Sequence, residues 1–259
     1  MRQDDPLAGL ARHYDVLMSH VNYGRWFTVA VELSALLPDR FRHLDAACGT
    51  CALLRKLLRL GWNTMGLDLS VAMLREGVKR KPAPPVVAGD LRALPMVAAF
   101  DYVTCLFDSI NFLTQPAELE VAFRELAKAI KPNGVLYFDV VTERMILDHF
   151  AGRRWTERTG RLSTTWESAY CRQSGIVETR IAVQNEPEHI IRERVYPPAQ
   201  IEAAVESAGL SLLGVFDAET WEPRRRKTAR IDYVAMKGSP RLLKKRLEDR
   251  VNRIRALMR

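Results

Sequence analysis

The sequence predicts an α/β protein of the Rossmann-like, doubly wound type. Its mostly parallel seven-stranded sheet is expected to carry an antiparallel β insertion and a basic C-terminal helix. Strand-like apolar runs alternate with amphipathic helical segments up to about residue 141, which is the pattern of an open parallel sheet. Three successive strands also end at or near an aspartate, namely Asp45, Asp68 and Asp90. Ligands of such sheets bind at the carboxyl ends of the strands, so this edge is the expected binding site.

The elements of this sheet can be assigned in order. The predicted strands are RHLDAA, NTMGLDL, PVVAGD, FDYVTCLF and VLYFDVV, and the helices are CALLRKLLRL, VAMLREGVKRK and PAELEVAFRELAKAI. Gly61 ends the first of these helices, and Pro116 occupies the first position of the third, where proline is favoured. SLLGVFDAE and RIDYVAMKG are expected to add a closing strand pair.

Between the fifth strand and the last helix of the domain, the pattern changes. RLSTTWESAYC, IVETRIAVQN and EHIIRERVY predict three antiparallel strands, which do not belong to a parallel sheet. We therefore predict a Rossmann-like domain over residues 1–145 and 197–238, a β lid over 146–196 and a basic amphipathic helix over 239–259. The candidate walls of a pocket under this lid are Trp155, Trp166, Tyr170, Tyr196 and Trp221.

The net charge of +8 is concentrated in the C-terminal segment. Residues 239–259 hold eight basic and two acidic side chains, so the rest of the chain is nearly neutral. No apolar run approaches the roughly 18 residues of a membrane span, and the charged start does not resemble a secretory signal, so we expect a cytoplasmic protein. Cys48 and Cys51 are spaced like a redox pair or half a zinc site, but the five histidines are scattered, and no metal is expected.

The segment HLDAACGTCALL, which follows the first strand, has the features of a cofactor loop. It lacks the G-x-G-x-x-G of a diphosphate-binding loop, because Gly49 is the only glycine between Asp45 and Leu54. This disfavours a nicotinamide oxidoreductase. Asp68 stands where an acidic residue accepts hydrogen bonds from ribose hydroxyls. S-adenosylmethionine, which has an adenosine and a cationic amino-acid end but no phosphate, fits this pattern.

Four segments of the chain, LDAACGTCALL, GLDLSVAML, AGDLRALP and FDYVTCLFDSINFL, resemble successive motifs of class I S-adenosylmethionine-dependent methyltransferases. The resemblance covers about residues 10 to 238. The segments YDVLM and YGRW and the β insertion make the chain similar to small bacterial methyltransferases that act on small molecules.

The resemblance implies a set of residues around S-adenosylmethionine. Around the methionine end it implies Tyr14, Tyr23, Trp26, Asp45, Ala47 and Gly49, with Asp45 facing the ammonium group. Around the adenosine it implies Asp68, Leu69, Met73, Asp90 and Leu91, and beside the sulfonium it implies Leu106 and Phe107. Cys51 departs from the usual third glycine of the loop. We expect it to weaken binding if its position requires a positive φ, and to let the cofactor fit if it has ordinary helical angles. Because cysteine is small and soft, we expect binding to survive.

Asp108, in the segment FDSIN after the fourth strand, is the candidate catalytic residue that orients or deprotonates the methyl acceptor. The absence of a Pro-Pro-aromatic stretch after that strand argues against methylation of base amines, so the predicted acceptor is an amine or hydroxyl of a small molecule. An alternative is an RNA-directed methyltransferase, or a nucleic-acid-binding protein, that uses the basic C-terminal helix.

Overall fold

The computed structural model describes residues 5–258, and for Leu242 its backbone alone. The strands in chain order are β1 (Arg42–Ala46), β2 (Asn63–Asp68), β3 (Val86–Ala88), β4 (Phe100–Cys105), β5 (Ile130–Val141), β6 (Arg153–Thr159), β7 (Leu162–Cys171), β8 (Ile176–Val183), β9 (His189–Arg194), β10 (Ser211–Asp217) and β11 (Arg230–Met236). The α-helices are α1 (Tyr14–Leu17), α2 (Tyr23–Ser34), α3 (Ala52–Arg59), α4 (Val71–Val78), α5 (Pro116–Ala129), α6 (Glu143–His149), α7 (Pro198–Ser207) and α8 (Lys244–Met258).

The predicted central sheet is confirmed. Its seven strands lie in the order β10-β11-β5-β4-β1-β2-β3, and β11 alone runs against its neighbours. The strand order reverses between β1 and β4, which pair in parallel. The carboxyl ends of these two strands therefore flank the crevice in which such sheets bind their ligands.

The sheet is buried on both faces, which explains the continuous apolar runs of its central strands. Helix α5 covers one face with the fully buried side chains of Leu119, Phe123 and Leu126. Helix α2 covers the other face, where Val29 and Leu33 belong to a core cluster with Tyr102 of β4. This packing fixes the strand ends that carry the site.

The β insertion forms a separate antiparallel sheet of four strands, β6-β7-β8-β9, rather than the three that the sequence predicts. The strand that sequence reasoning missed is β6, with the sequence RRWTERT. It lies at an edge of the lid sheet, and edge strands commonly carry charged side chains that hide their alternation. Trp155 on β6 pairs with Trp166 on β7, and their rings stack with centroids 5.8 Å apart.

The lid sheet packs on the N-terminal segment of the chain. Leu10 and Leu17 are buried against Ile181 and Val183 of β8. His13 and Arg12 meet Glu186, which follows β8. The N-terminal segment therefore lies between the lid and the central domain.

The C-terminal helix α8 packs on α2, with Leu247, Val251 and Ile254 buried. Several of its cations pair with the same domain: Arg250 and Arg253 lie near Glu32 of α2. This packing gives the alternative of RNA binding through the helix no support. Arg259 and residues 1–4, which belong to the predicted C-terminal helix and Rossmann-like domain, lie outside the described residues. Within residues 5–258, we find no helix with the length and apolar character of a membrane span.

Replacing Ile254 with alanine is expected to lower the free energy of unfolding by about 2–4 kcal/mol, because a fully buried isoleucine is lost and a cavity remains. Leu257 on the same helix is 59% exposed, so Leu257→Ala is the matched control and should change stability little. Urea denaturation of both variants measures the difference. Equal effects would contradict a structural role for the buried face of α8.

Candidate active site

A cleft opens at the carboxyl ends of β1, β2 and β4. All thirteen residues that the sequence assigns to cofactor binding line it: Tyr14, Tyr23, Trp26, Asp45, Ala47, Gly49, Asp68, Leu69, Met73, Asp90, Leu91, Leu106 and Phe107. The fold thus brings together residues from five separate stretches of the chain. Their individual contacts with a ligand stay predictions.

Asp68, at the end of β2, joins the loop after β1 to the start of α4. Its Oδ2 accepts a hydrogen bond from the backbone N–H of Gly49 at 2.7 Å, and its Oδ1 accepts from Ser70 N–H at 2.8 Å. The side chain is buried, and this burial raises the pKa of the Asp68 carboxyl. Each oxygen retains a lone pair that can accept a hydrogen bond from a hydroxyl in the cleft.

Asp45 ends a buried chain of hydrogen bonds. Thr104 donates to Asp45 Oδ1 at 2.7 Å, and the hydroxyl of Thr104 lies 3.0 Å from His43 Nε2. Nδ1 of His43 lies 2.6 Å from the hydroxyl of Thr64. Burial lowers the pKa of His43 to about 3, so its ring is neutral. Because the Thr104 hydroxyl donates its one hydrogen to Asp45, it accepts a hydrogen bond from the Nε2–H of His43. Burial raises the pKa of Asp45 to about 7, despite the hydrogen bond from Thr104.

Asp90 has a carboxylate that is already engaged. Both of its oxygens accept from the guanidinium of Arg92, and Oδ1 also accepts from Arg92 N–H at 2.8 Å. These hydrogen bonds lower the pKa of Asp90. The carboxylate keeps its place at the cleft, but it shares its acceptor capacity with Arg92.

Three aromatic rings form the wall of the cleft near the carboxyl end of β4. Tyr23, Trp26 and Phe107 have ring centroids between 5.4 and 6.0 Å apart. The indole Nε1 of Trp26 is buried and has no hydrogen-bond partner among the described residues. A buried N–H donor without a partner is costly, so this atom is suited to a ligand that supplies an acceptor.

A second cavity of about 410 Å³ lies beside the cleft, under the lid. It shares Tyr14, Trp26 and Phe107 with the cleft, so the two spaces adjoin. The candidate catalytic residue Asp108 lines this second cavity. Of the five aromatic residues proposed as walls, Trp155 and Trp166 are here, whereas the cavity lining does not include Tyr170, Tyr196 and Trp221. Trp221 is fully buried in the core, where its indole donates to a buried carboxylate.

The loop that carries Phe107 and Asp108 is held by Asp139 of β5. Asp139 is fully buried and accepts from the backbone N–H groups of Phe107 at 2.6 Å and Asp108 at 3.3 Å. Arg230 of β11 forms ion pairs with both Asp139 and Asp108, the latter at 2.9 Å. Phe107 and Asp108 have φ values of 62° and 50°, and Asp139 holds this left-handed backbone in place.

Sequence reasoning missed three residues of this region, Asp139, Arg230 and Glu193. Asp139 left a signal, because it is a carboxylate within the apolar strand VLYFDVV. Arg230 and Glu193 sit in segments with ordinary strand alternation. Nothing local marked their side chains as facing a cavity.

Residues 44–134 match a family model described as a methyltransferase domain. Among solved structures, the chain is similar to CalS10 from Micromonospora echinaspora, an amino pentose methyltransferase with S-adenosylmethionine bound. The two are 27% identical with a TM-score of 0.63, and the match covers 81% of this chain and 88% of that one. Residues 44–134 of this chain are a methyltransferase domain, and the whole fold is similar to that of an S-adenosylmethionine-dependent methyltransferase.

Two curated relatives are also similar to this chain in sequence. YqeM of Bacillus subtilis, itself named only provisionally as a methyltransferase, is 32% identical over 164 residues, or 62% of this chain. The dTDP-3-amino-3,6-dideoxy-alpha-D-glucopyranose N,N-dimethyltransferase of Streptomyces fradiae is 34% identical over 139 residues, or 52% of this chain. The matches span 65% and 54% of the lengths of these two relatives.

The side chains that line the cleft have the chemical groups needed to bind S-adenosylmethionine. The unpartnered Nε1 of Trp26 can donate to the carboxylate of the methionine end. Asp68 has carboxylate oxygens that can accept from ribose hydroxyls, and Asp45 has one that can accept from the ammonium group. The methionine end would thus meet both a donor and an acceptor of the kind that it requires.

Cys51 has a φ of 62°, which lies in the left-handed region that favours the glycine usual at this position of the loop. Its side chain is nevertheless fully buried and packs with Leu54 and Leu74, and it is not among the residues that line the cleft. Gly77 of α4 makes room for it, because a Cβ at position 77 would lie 2.7 Å from the Cys51 sulfur. The cost of Cys51 is therefore backbone strain of about 1–2 kcal/mol rather than crowding of the cofactor.

The predicted role of Asp45 gives cofactor binding a pH dependence. When no cofactor is bound, Asp45 has a pKa of about 7. A bound ammonium group stabilises the charged form of Asp45, so binding below pH 7 requires that Asp45 release a proton. We expect the affinity for S-adenosylmethionine to weaken up to about tenfold per unit as pH falls below 7. Calorimetry between pH 5.5 and 7.5 measures this slope. Asp45→Asn should flatten it, and a slope that Asp45→Asn leaves unchanged would exclude Asp45 as its source.

The basic stretch Arg224–Lys227 lines a different groove, away from the cofactor cleft. This groove runs beside the lid and also contains Arg172 and Arg194. Arg224 pairs with Glu202 at 2.9 Å. The positive charge of this stretch is thus separate from both cavities of the active site.

Proposed function

We propose that the protein is an enzyme that transfers a methyl group from S-adenosylmethionine to an amine of a small molecule. The observation that carries this proposal is the second cavity, which adjoins the cofactor cleft and is lined by the acidic side chains of Asp108, Glu157 and Glu193. Its one lining arginine, Arg230, already pairs with Asp108 and Asp139. A cavity with this excess of negative charge favours a cationic acceptor.

The names of some relatives support an amine acceptor, but they do not identify which amine. The Streptomyces fradiae relative acts on an amino sugar by its name, and CalS10 is an amino pentose methyltransferase. Other relatives are named demethylmenaquinone methyltransferases, so names alone do not decide. The acidic lining favours an amine over a hydroxyl, because only the amine is a cation near neutral pH.

The residues of the cleft would bind the cofactor, and those of the second cavity would enclose the acceptor. Bound S-adenosylmethionine supplies a methyl group on a sulfonium, and as the new N–C bond forms, the C–S bond breaks with its electron pair left on sulfur. Trp26, Asp45 and Asp68 would hold the cofactor, while Trp155 and Trp166 of the lid would exclude water from the acceptor cavity. Alignment of the two reacting groups supplies most of the acceleration. The predicted compartment remains the cytoplasm.

Thermal unfolding with S-adenosylmethionine, S-adenosylhomocysteine and NAD tests the cofactor. A ligand at about 100 times its dissociation constant stabilises the fold by roughly 2.7 kcal/mol, so the two sulfur compounds should raise the midpoint by several degrees and NAD should not. Formation of S-adenosylhomocysteine is then followed with a panel of primary amines, including amino sugars, each paired with its hydroxyl counterpart. Turnover of the hydroxyl compounds alone would contradict the amine proposal.

A further inference from the structure

We propose that Glu193 and Asp108 form a carboxyl pair that holds one proton at the acceptor cavity, and that Glu193 takes the proton of an amine acceptor. The inference rests on the proposed function and deepens it by naming the proton acceptor. Sequence reasoning gave that role to Asp108. The lid strand β9, which brings Glu193 over the cavity, supplies a second candidate.

The geometry of the pair is the basis of the proposal. Both side chains line the same cavity, and the negative charge of Asp108 acts on the Glu193 carboxyl. Two carboxylates in one cavity repel each other when both are charged, so one proton on the pair is favoured. The Oε1 atom of Glu193 is buried and without a hydrogen-bond partner among residues 5–258. That oxygen is available to a donor on a ligand, such as an ammonium N–H.

The surrounding charges decide which carboxyl is neutral. Arg230 Nη1 lies 2.9 Å from Asp108 Oδ1 and forms an ion pair with it. Burial, and then the negative charge of Asp108, raise the pKa of Glu193 well above its usual value, and Arg230 lowers it less. His20 and Glu157 line the same cavity. Glu193 is therefore the partner that carries the proton before the acceptor binds.

Entry of an ammonium group changes this balance. Its positive charge favours the ionised form of Glu193, so the shared proton leaves to water and a cation replaces it. Glu193 then accepts one proton from the ammonium group, which frees the nitrogen lone pair for attack. A base with a raised pKa suits this transfer, because general bases work best when their pKa lies near the operating pH. The proton passes to solvent when the product leaves.

Carbon-13 NMR of labelled side-chain carboxyls tests the pair without any acceptor. With S-adenosylhomocysteine bound, we expect one glutamate carboxyl to titrate well above the ordinary range and to vanish in Glu193→Gln. Asp108→Asn should move that titration to lower pH, because the neighbouring negative charge is removed. Glu167→Gln, an exposed glutamate of the lid, is the matched control and should leave it unchanged. An ordinary Glu193 titration, or one that Asp108→Asn does not move, would overturn the pair.

Turnover tests the role of the pair with the amine that the panel identifies. Glu193→Gln is expected to lower kcat by about 100-fold or more while the dissociation constant of S-adenosylmethionine stays within twofold. Glu167→Gln should keep kcat. Retention of kcat by Glu193→Gln would remove Glu193 as the proton acceptor. A wild-type protein that S-adenosylmethionine fails to stabilise would instead contradict the proposed function, so the two failures are distinguishable.

Discussion

Replacing Asp68 with alanine is expected to weaken S-adenosylmethionine binding by about 100-fold or more. The substitution removes the predicted acceptor for the ribose hydroxyls, and hydrogen bonds to a charged group contribute about 1.5–3 kcal/mol each. It also removes the tie to Gly49 N–H, which shapes the loop under the methionine end. Isothermal calorimetry measures the loss directly.

Asp217 provides the control for this prediction. It ends β10 and accepts hydrogen bonds from the backbone N–H groups of Glu219 and Thr220, much as Asp68 does at its own strand end, but it does not line the cleft. Asp217→Ala should therefore leave the affinity of the folded protein unchanged. If Asp68→Ala bound the cofactor within threefold of wild type, the carboxylate would serve only as a cap for the following helix.

Replacing Arg230 with methionine is expected to lower the free energy of unfolding by about 3–5 kcal/mol, since it leaves buried carboxylates without their counter-charge. Asp139 is fully buried, and its other partners are backbone N–H groups. The pair of Asp108 and Glu193 also loses the nearest cation. Urea denaturation reports the change in stability.

Arg226→Met is the matched control for that variant, because Arg226 is exposed on the basic stretch before β11. It should alter stability by no more than about 0.5 kcal/mol. A similar small change for Arg230→Met would show that water or a shift of the loop compensates the buried carboxylates. In that case the loop after β4 would not depend on its ion pairs.

The cofactor cleft could be predicted from sequence because its residues are local to strand ends. Asp45 is the penultimate residue of β1 and Asp68 is the last residue of β2, and parallel strands place their carboxyl ends at one edge. The fold then follows from the alternation of strands and helices. The edge strand β6 was missed, since charged residues at a lid edge carry little apolar alternation.

The acceptor cavity could not be predicted in the same way. Asp108, Glu193 and Arg230 come from a loop, a lid strand and the last strand of the sheet, and only the folded chain brings them together. Their charges are individually ordinary. Their chemistry arises from shared burial and mutual contact, which have no period along the sequence. Asp139 is the exception, because a carboxylate in an apolar strand is itself a signal.

The contact between Cys51 and Gly77 also couples the cofactor loop to α4. A side chain at position 77 would collide with the Cys51 sulfur and with the backbone of Thr50. Glycine at position 77 on α4 therefore leaves the space that the Cys51 side chain occupies. The loop and the neighbouring helix form one unit of substitution, and the glycine that permits close packing here belongs to the helix.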